Sequence, residues 1–293
     1  MQKQNKNQPQ VIEELRAGQS TELLKELHIL TREGKLNQDT RRKLKQVYHL
    51  YQFIEPLLNS VLTSRAAFTL ADHGAGKSYL GFILYDLFFN VAKAGQPPSG
   101  HIYGIDTRAD LTDKSAALAA RLGFEQMSFL NTSVLEATAS KALPETVDIV
   151  TALHACDTAS DDAIAFGLAK GAQHMVLVPC CQAEVAGVLK KSKALNLSRT
   201  PLAELWRHPL HTREFGSQIT NVLRCLQLEA HGYEVTVTEL VGWEHSMKNE
   251  LILASLPEVS KMANMAKAKL AQERLKQVLD ELGLAELRSR FAL

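Results

Sequence analysis

Three short clusters carry side chains able to do chemistry. The first is Asp72-His73-Gly74-Ala75-Gly76-Lys77-Ser78, an acid followed by two glycines, a lysine and a serine. Glycines at this spacing let the chain turn tightly and let a ligand approach the backbone. The second is His154-Ala155-Cys156-Asp157, which sets an imidazole, a thiol and a carboxyl close together. Such groups can take or give a proton near neutral pH. The third is the adjacent pair Cys180-Cys181. A thiolate is a nucleophile, whereas a buried thiol packs as a small apolar group.

The glycine cluster has two chemical readings. Read toward its end, Gly76-Lys77-Ser78 matches the close of a phosphate-binding loop, G-x-x-x-x-G-K-[ST]. The first glycine of that pattern falls on Ala71. A nucleotide hydrolase also needs an acid at the far end of a later strand, and Asp148 precedes its apolar run instead. Read from its start, Asp72 ends an apolar run and Gly74 and Gly76 turn the chain into a helix. The next run ends in Gly104-Ile105-Asp106. A carboxylate there is placed to accept hydrogen bonds from the two hydroxyls of a ribose. Together the turn and the acid make a nucleoside-type crevice. The alternative is a tight turn and a helix cap with no ligand.

These residues need a scaffold that brings strand ends together. Short apolar runs at 67–71, 102–105, 128–130, 147–153 and 175–178 are bounded by turn residues. Helical stretches at 78–94, 110–122 and 157–170 separate several of them. Runs that are apolar throughout fit strands covered on both faces. Their alternation with helices predicts an α/β fold: a Rossmann-like, doubly wound, mostly parallel seven-stranded sheet. Runs at 233–241 and 251–255 have no helix between them and predict an antiparallel hairpin closing the sheet. The segment 182–211 is irregular, and a helix is expected over 213–231. Before the sheet, residues 11–64 read as a helical extension, with Ser20 as an N-cap and a second helix over 39–62. Residues 1–10 read as a disordered tail, 65–257 as the main domain and 258–293 as a long charged C-terminal helix.

Bulk composition narrows the partners. At 45% hydrophobic and 22% charged, the chain has material for an ordinary core. A formal net charge of +1 gives no global field, so a polyanion would need a local basic patch. Basic residues gather at 41–45, 190–193 and 261–276. Of these, Lys190, Lys191 and Lys193 follow the fifth strand and are the best placed to meet a phosphate backbone. No run is long enough to span a bilayer, and the polar start lacks the apolar core of a signal peptide, so a cytoplasmic protein is expected. The cysteine spacing suggests neither zinc nor disulfides.

The motifs resemble the class I S-adenosylmethionine-dependent methyltransferases. Asp72-x-Gly74-x-Gly76-Lys77-x-Tyr79-Leu80 is similar to the form D/E-x-G-x-G-K-G-x-L. The stretch Leu153-His154-Ala155-Cys156-Asp157-Thr158-Ala159-Ser160-Asp161 is similar to L-H-A-C-D-x-A-T-D. Val178-Pro179-Cys180-Cys181 and Lys248-Asn249-Glu250-Leu251 resemble that group's P-C-C and K-N-x-L-I elements. The subgroup includes the tRNA acceptor-stem 2′-O-methyltransferase and the methyltransferase-like domain of glutathione S-transferase C-terminal-domain-containing proteins. The sequence departs from it at His73, Ala75 and Ser78, and in having Gln182-Ala183 where the acceptor-stem enzyme has two histidines.

The resemblance implies S-adenosyl-L-methionine as cofactor and no metal. It implies that Asp72 orders the loop, that Gly74 and Gly76 line the methionine moiety, and that Asp106 takes the ribose. Asn131 and Ser133 are then placed toward the adenine edge. His154 stands at the acceptor side, with Asp157 as its partner or as a helix cap. Cys181 is a third candidate for catalysis, against a packing role. RNA is the expected acceptor, through Lys190, Lys191, Lys193 and the basic helices. Protein or small-molecule methylation, nucleotide hydrolysis and a non-catalytic module of the same fold remain the alternatives.

Overall fold

A computed structural model describes residues 14–90, 99–153, 155, 157–179, 182–192, 200–240, 250–257 and 261–291. After a short turn, Ser20 caps α1 (Thr21–Glu26), its hydroxyl accepting from the Leu23 amide. Asn37 and Thr40 form a reciprocal capping box that starts α2 (Gln38–Ser64). The sheet begins with β1 (Phe68–His73), and α3 (Tyr79–Tyr85) passes into a π-helical turn at Asp86–Asn90. The alternation then runs β2 (Gly100–Asp106), α4 (Ala109–Leu122), β3 (Met127–Asn131), α5 (Val134–Ala139), β4 (Ile149–Ala152), α6 (Thr158–Ala169) and β5 (His174–Leu177). Next come α7 (Glu184–Ser192), a 3-10 turn at Pro201–Trp206, α8 (Pro209–Ala230), β6 (Glu234–Glu239), β7 (Glu250–Ser255) and α9 (Lys261–Glu281).

The seven strands lie in the order β3-β2-β1-β4-β5-β7-β6. The first five are parallel, and β7 runs antiparallel between β5 and β6. This is the expected α/β architecture, including the antiparallel pair at the end. Successive residues of a strand face opposite sides, and the core divides accordingly. Leu70, Ile102 and Ile149 join a cluster beneath α2 and α3 that includes Ile54, Phe82 and Phe88. Ala71, Ile105 and Val150 join one beneath α6 and α8 that includes Ile164, Phe166 and Leu228. β4 and β5 are buried at every position, which is why they are apolar but for Thr151 and His174.

A third cluster lies outside the sheet, where Val185 and Leu189 of α7 meet Leu223 of α8 and Leu275 and Leu279 of α9. The C-terminal helix expected from its charges therefore buries an apolar stripe at 271, 275 and 279 and roofs α7 and α8. Two expectations of local structure are corrected. The segment 182–211 is not irregular throughout: α7 and the 3-10 turn occupy part of it, and α8 starts at Pro209, where a missing amide suits the first helical position. The helix expected over 78–94 changes to π geometry at Asp86. That buried carboxylate accepts from the Ser20 amide at 3.1 and 3.2 Å, tying the N-terminal extension to the sheet domain.

Candidate cofactor and acceptor site

The strand order reverses direction between β1 and β4, and ligands of open α/β sheets bind beyond the carboxyl ends of the strands at such a point. The β1 loop, the β2 end and the β4 loop all converge there. Gly74 and Gly76 have φ of +63° and +58°, left-handed values that disfavour other residues. A Cβ on Gly74 would lie 3.5 Å from Ala155, so the β1 and β4 loops touch.

Asp106 is the hub of this corner. Its Oδ2 accepts from the Gly76 amide at 2.7 Å and from Arg108 Nη2 at 3.0 Å. Its Oδ1 accepts from the Arg108 amide at 3.0 Å and from Arg108 Nε at 2.9 Å. The Arg108 guanidinium, with these amides, holds the carboxyl below its ordinary range despite burial. The arrangement also counts against phosphate binding. The Gly76 amide is committed to a carboxylate, and that negative charge would repel a phosphate in the loop. Asp148 lies at the opposite end of the sheet, accepting from the Thr69 amide at 2.7 Å and pairing with Arg65.

Asp72 is fully buried, and Thr151 Oγ1 donates to its Oδ1 at 2.7 Å. Burial pushes its pKa from 3.8 up to about 7; the Thr151 bond opposes this and the Asp106 charge adds to it. Between pH of about 4 and 7 the unfolded chain has ionised this carboxyl and the folded chain has not, so stability falls as the pH rises through that window. The full interval corresponds to on the order of 4 kcal/mol. In Asp72→Asn that slope should vanish. Urea midpoints of both proteins at several pH values test this, and parallel curves would mean that Asp72 ionises normally. His73 points to the other face. Its ring lies 4.2 Å from that of Phe166, neither nitrogen has a partner, and burial lowers its pKa to about 3. It is a neutral core imidazole.

At the β3 end, Asn131 Nδ2 donates to the Asp106 carbonyl at 3.2 Å. Ser133 caps α5 in a capping box with Glu136, so its hydroxyl is engaged locally. Asp157 stands at the N-cap position of α6 but makes no side-chain cap there. Its carboxylate turns instead to the start of α7 and accepts from the Ala183 and Glu184 amides at 2.9 and 3.3 Å. The cost is a backbone at φ +51° and ψ −120°, strained for a residue with a Cβ.

Arg224 of α8 holds that geometry. Nε and Nη2 donate to the two carboxylate oxygens of Asp161 at 2.6 and 3.0 Å, and Nη2 also reaches the Asp157 carbonyl at 2.7 Å. Both charged side chains are buried. Nη1 donates to Asn221 Oδ1, which also accepts from Gln182 Nε2 at 3.1 Å. Gln182 is thus part of a buried polar network. Arg290, near the end of the chain, grips Glu184 through two bonds of 3.1 and 3.0 Å. The β4 and β5 loops are therefore fastened to each other and to two later helical segments.

The structure brings Asp72, Gly74, Gly76, Asp106 and Asn131 to one corner and Asp157 to the adjoining one. His154, Cys156, Cys180, Cys181, Lys193 and Trp243 lie outside the described residues. Lys190 and Lys191 are exposed in the last turn of α7. Trp206 packs on Phe215, with ring centroids 5.5 Å apart. Cys225 is a free thiol that burial pushes up to about 12, far from nucleophilic range. Arg108, Arg224 and Arg290 were not foreseen as parts of the site. The one local signal was Arg108, two residues after the strand-end acid.

The chain is similar to an rRNA methylase from Streptococcus thermophilus, at 11% identity over 70% of this chain and 95% of that one, with a TM-score of 0.41. It is also similar to magnesium protoporphyrin IX methyltransferase from Synechocystis PCC 6803 with bound SAH, at 15% identity over 82% and 95% of the two chains and a TM-score of 0.42. Fibrillarin from Aeropyrum pernix, with natively bound S-adenosyl-L-methionine, shares 13% identity over 64% and 66%, with a TM-score of 0.35. No curated protein matches the sequence. A family described as a methyltransferase domain matches residues 42–188, half of the chain, spanning α2 through β5 and the start of α7. The chain belongs to this methyltransferase-domain family.

Proposed function

We propose that this chain is an S-adenosylmethionine-dependent methyltransferase and that RNA is its acceptor. The observation that carries the cofactor is the junction of the left-handed glycine turn with the Asp106 carboxylate at the strand-order reversal. A nucleoside ligand needs close backbone approach and a carboxylate for its diol, and both lie here within hydrogen-bond contact of each other. When bound, S-adenosylmethionine supplies an electrophilic methyl group.

The residues of the chain do the rest by position. Gly74 and Gly76 leave the loop free of side chains on the ligand side. Asp106 orients the ribose and Asn131 braces the β2 end. The buried Asp72 sits below the loop, where its ionised form favours a cationic ligand. On the acceptor side, Asp157 and Arg224 fix the β4 and β5 loops relative to each other. Alignment of the acceptor is a large part of catalysis in such a transfer. The motif resemblance keeps His154 and Cys181 as the candidates for acceptor-side chemistry. RNA is favoured by the resemblance of the motifs and by Lys190 and Lys191, exposed on the helix that starts at the Asp157 cap.

The test is transfer of labelled methyl groups from S-adenosylmethionine into total RNA and total protein of a strain lacking this chain. Label in RNA is expected. Label in protein alone would replace RNA as the acceptor, and label in neither would remove it.

A further inference from the structure

We infer that Arg108 sets the affinity of this chain for its cofactor by competing with the ribose for Asp106, an inference that rests on the cofactor reading above. A carboxylate offers about four lone-pair positions and no donor. All four on Asp106 are filled: one on each oxygen by a backbone amide, Gly76 or Arg108, and one on each by the Arg108 guanidinium. The two amide bonds belong to the β1 turn and the start of α4 and persist while those elements are folded. The two guanidinium bonds belong to a side chain that is 60% exposed. Withdrawing it frees one acceptor position on each oxygen, which is the pattern a cis-diol requires.

The guanidinium also occupies space. Its Nη2 lies 3.2 Å from where a Cβ on Gly76 would stand, so it overhangs the glycine turn. A ligand lying along that turn and hydrogen-bonding Asp106 meets Arg108 first. Rotation about the side-chain torsions suffices to open the corner, because the Arg108 amide stays on Oδ1. Among the described residues, no other hydrogen bond or ion pair holds the guanidinium.

The competition has a distinctive salt dependence. Screening weakens the exposed Arg108–Asp106 pair and so lowers the cost of opening it. S-adenosylhomocysteine carries no net charge, so its own encounter with the site depends little on salt. Wild-type protein should therefore bind it more tightly as NaCl rises from about 0.02 M to about 0.3 M.

The experiment is calorimetric titration of S-adenosylhomocysteine into wild type, Arg108→Ala and Arg108→Lys at both salt concentrations, with ligand-free melting curves as a check on folding. Arg108→Ala is expected to bind about threefold to tenfold more tightly than wild type at low salt and to lose the salt response. Arg108→Lys, which keeps the charge but not the fork, should fall between them. Binding in which Arg108→Ala matches or falls below wild type overturns the competition and leaves the cofactor reading standing. No binding by any of the three proteins overturns both.

Discussion

Replacing Arg224 by methionine is expected to destabilise the protein by about 3–5 kcal/mol, the usual consequence of leaving one member of a buried ion pair behind. The Asp161 carboxylate would lose both of its guanidinium bonds inside the fold, and the Asp157 carbonyl and Asn221 side chain would each lose a donor. Desolvation makes the orphaned charge expensive, not the loss of attraction alone. The double variant Arg224→Met, Asp161→Leu should therefore recover much of the loss. Guanidinium chloride unfolding of the two single variants and the double variant gives the coupling energy directly. A single-variant loss below about 1 kcal/mol would place the pair with ordinary surface ion pairs. The recovered double variant would still lack the bond that holds the Asp157 carbonyl, and with it the restraint on the β4 loop.

Alanine at Asp106 is expected to weaken S-adenosylhomocysteine binding by about a hundredfold. Hydrogen bonds to a charged group contribute about 1.5–3 kcal/mol each, and a ribose diol makes two. The release of Arg108 offsets only the smaller, exposed part of that loss. The Gly76 amide also loses its acceptor, which loosens the turn on the methionine side. Asparagine keeps one acceptor oxygen and should retain part of the affinity. Titration calorimetry of both variants decides it; a change below about threefold would take Asp106 out of the binding site.

The centre of the sheet was legible because β4 and β5 are covered on both faces. β4 and β5 are buried at all positions, so the stretches 149–153 and 175–178 are apolar but for Thr151 and carry no charge. The antiparallel pair was legible because the sequence between the runs 233–241 and 251–255 is too short for a crossover helix. Short elements were not. α5 has six residues, and its one signal was the capping pair Ser133 and Glu136. α7 has nine residues with Gly187 in its middle, so its helical signal is weak.

Within the site, the residues that follow strand ends were readable, because a parallel sheet sends every such loop to the same edge. Arg224 was not. On a helix of ordinary amphipathic pattern an arginine reads as solvent-facing, and its partner Asp161 lies 63 residues earlier. A shorter separation, 26 residues, hid the use of Asp157. Its position before α6 was plain, but its carboxylate serves α7, which comes after a further strand.

The place of β7 in the sheet has a consequence for how the protein is made. β5 ends at Leu177, yet its antiparallel neighbour is Glu250–Ser255, and β6, emerging earlier, pairs among the described residues with β7 alone. A ribosome releases β1 to β5 in an order that lets each find a partner already present. β5 then waits, one edge unpaired, while α7, the 3-10 turn, α8 and β6 emerge. An unpaired edge is a template for mispairing. The glycine turn and Asp106 can meet during this interval, because β1 and β2 are already out. The Arg224 clamp on the β4 loop follows only when α8 arrives. The nucleoside corner is thus assembled early in translation and the acceptor wall late, with the sheet sealed by the last strand to appear.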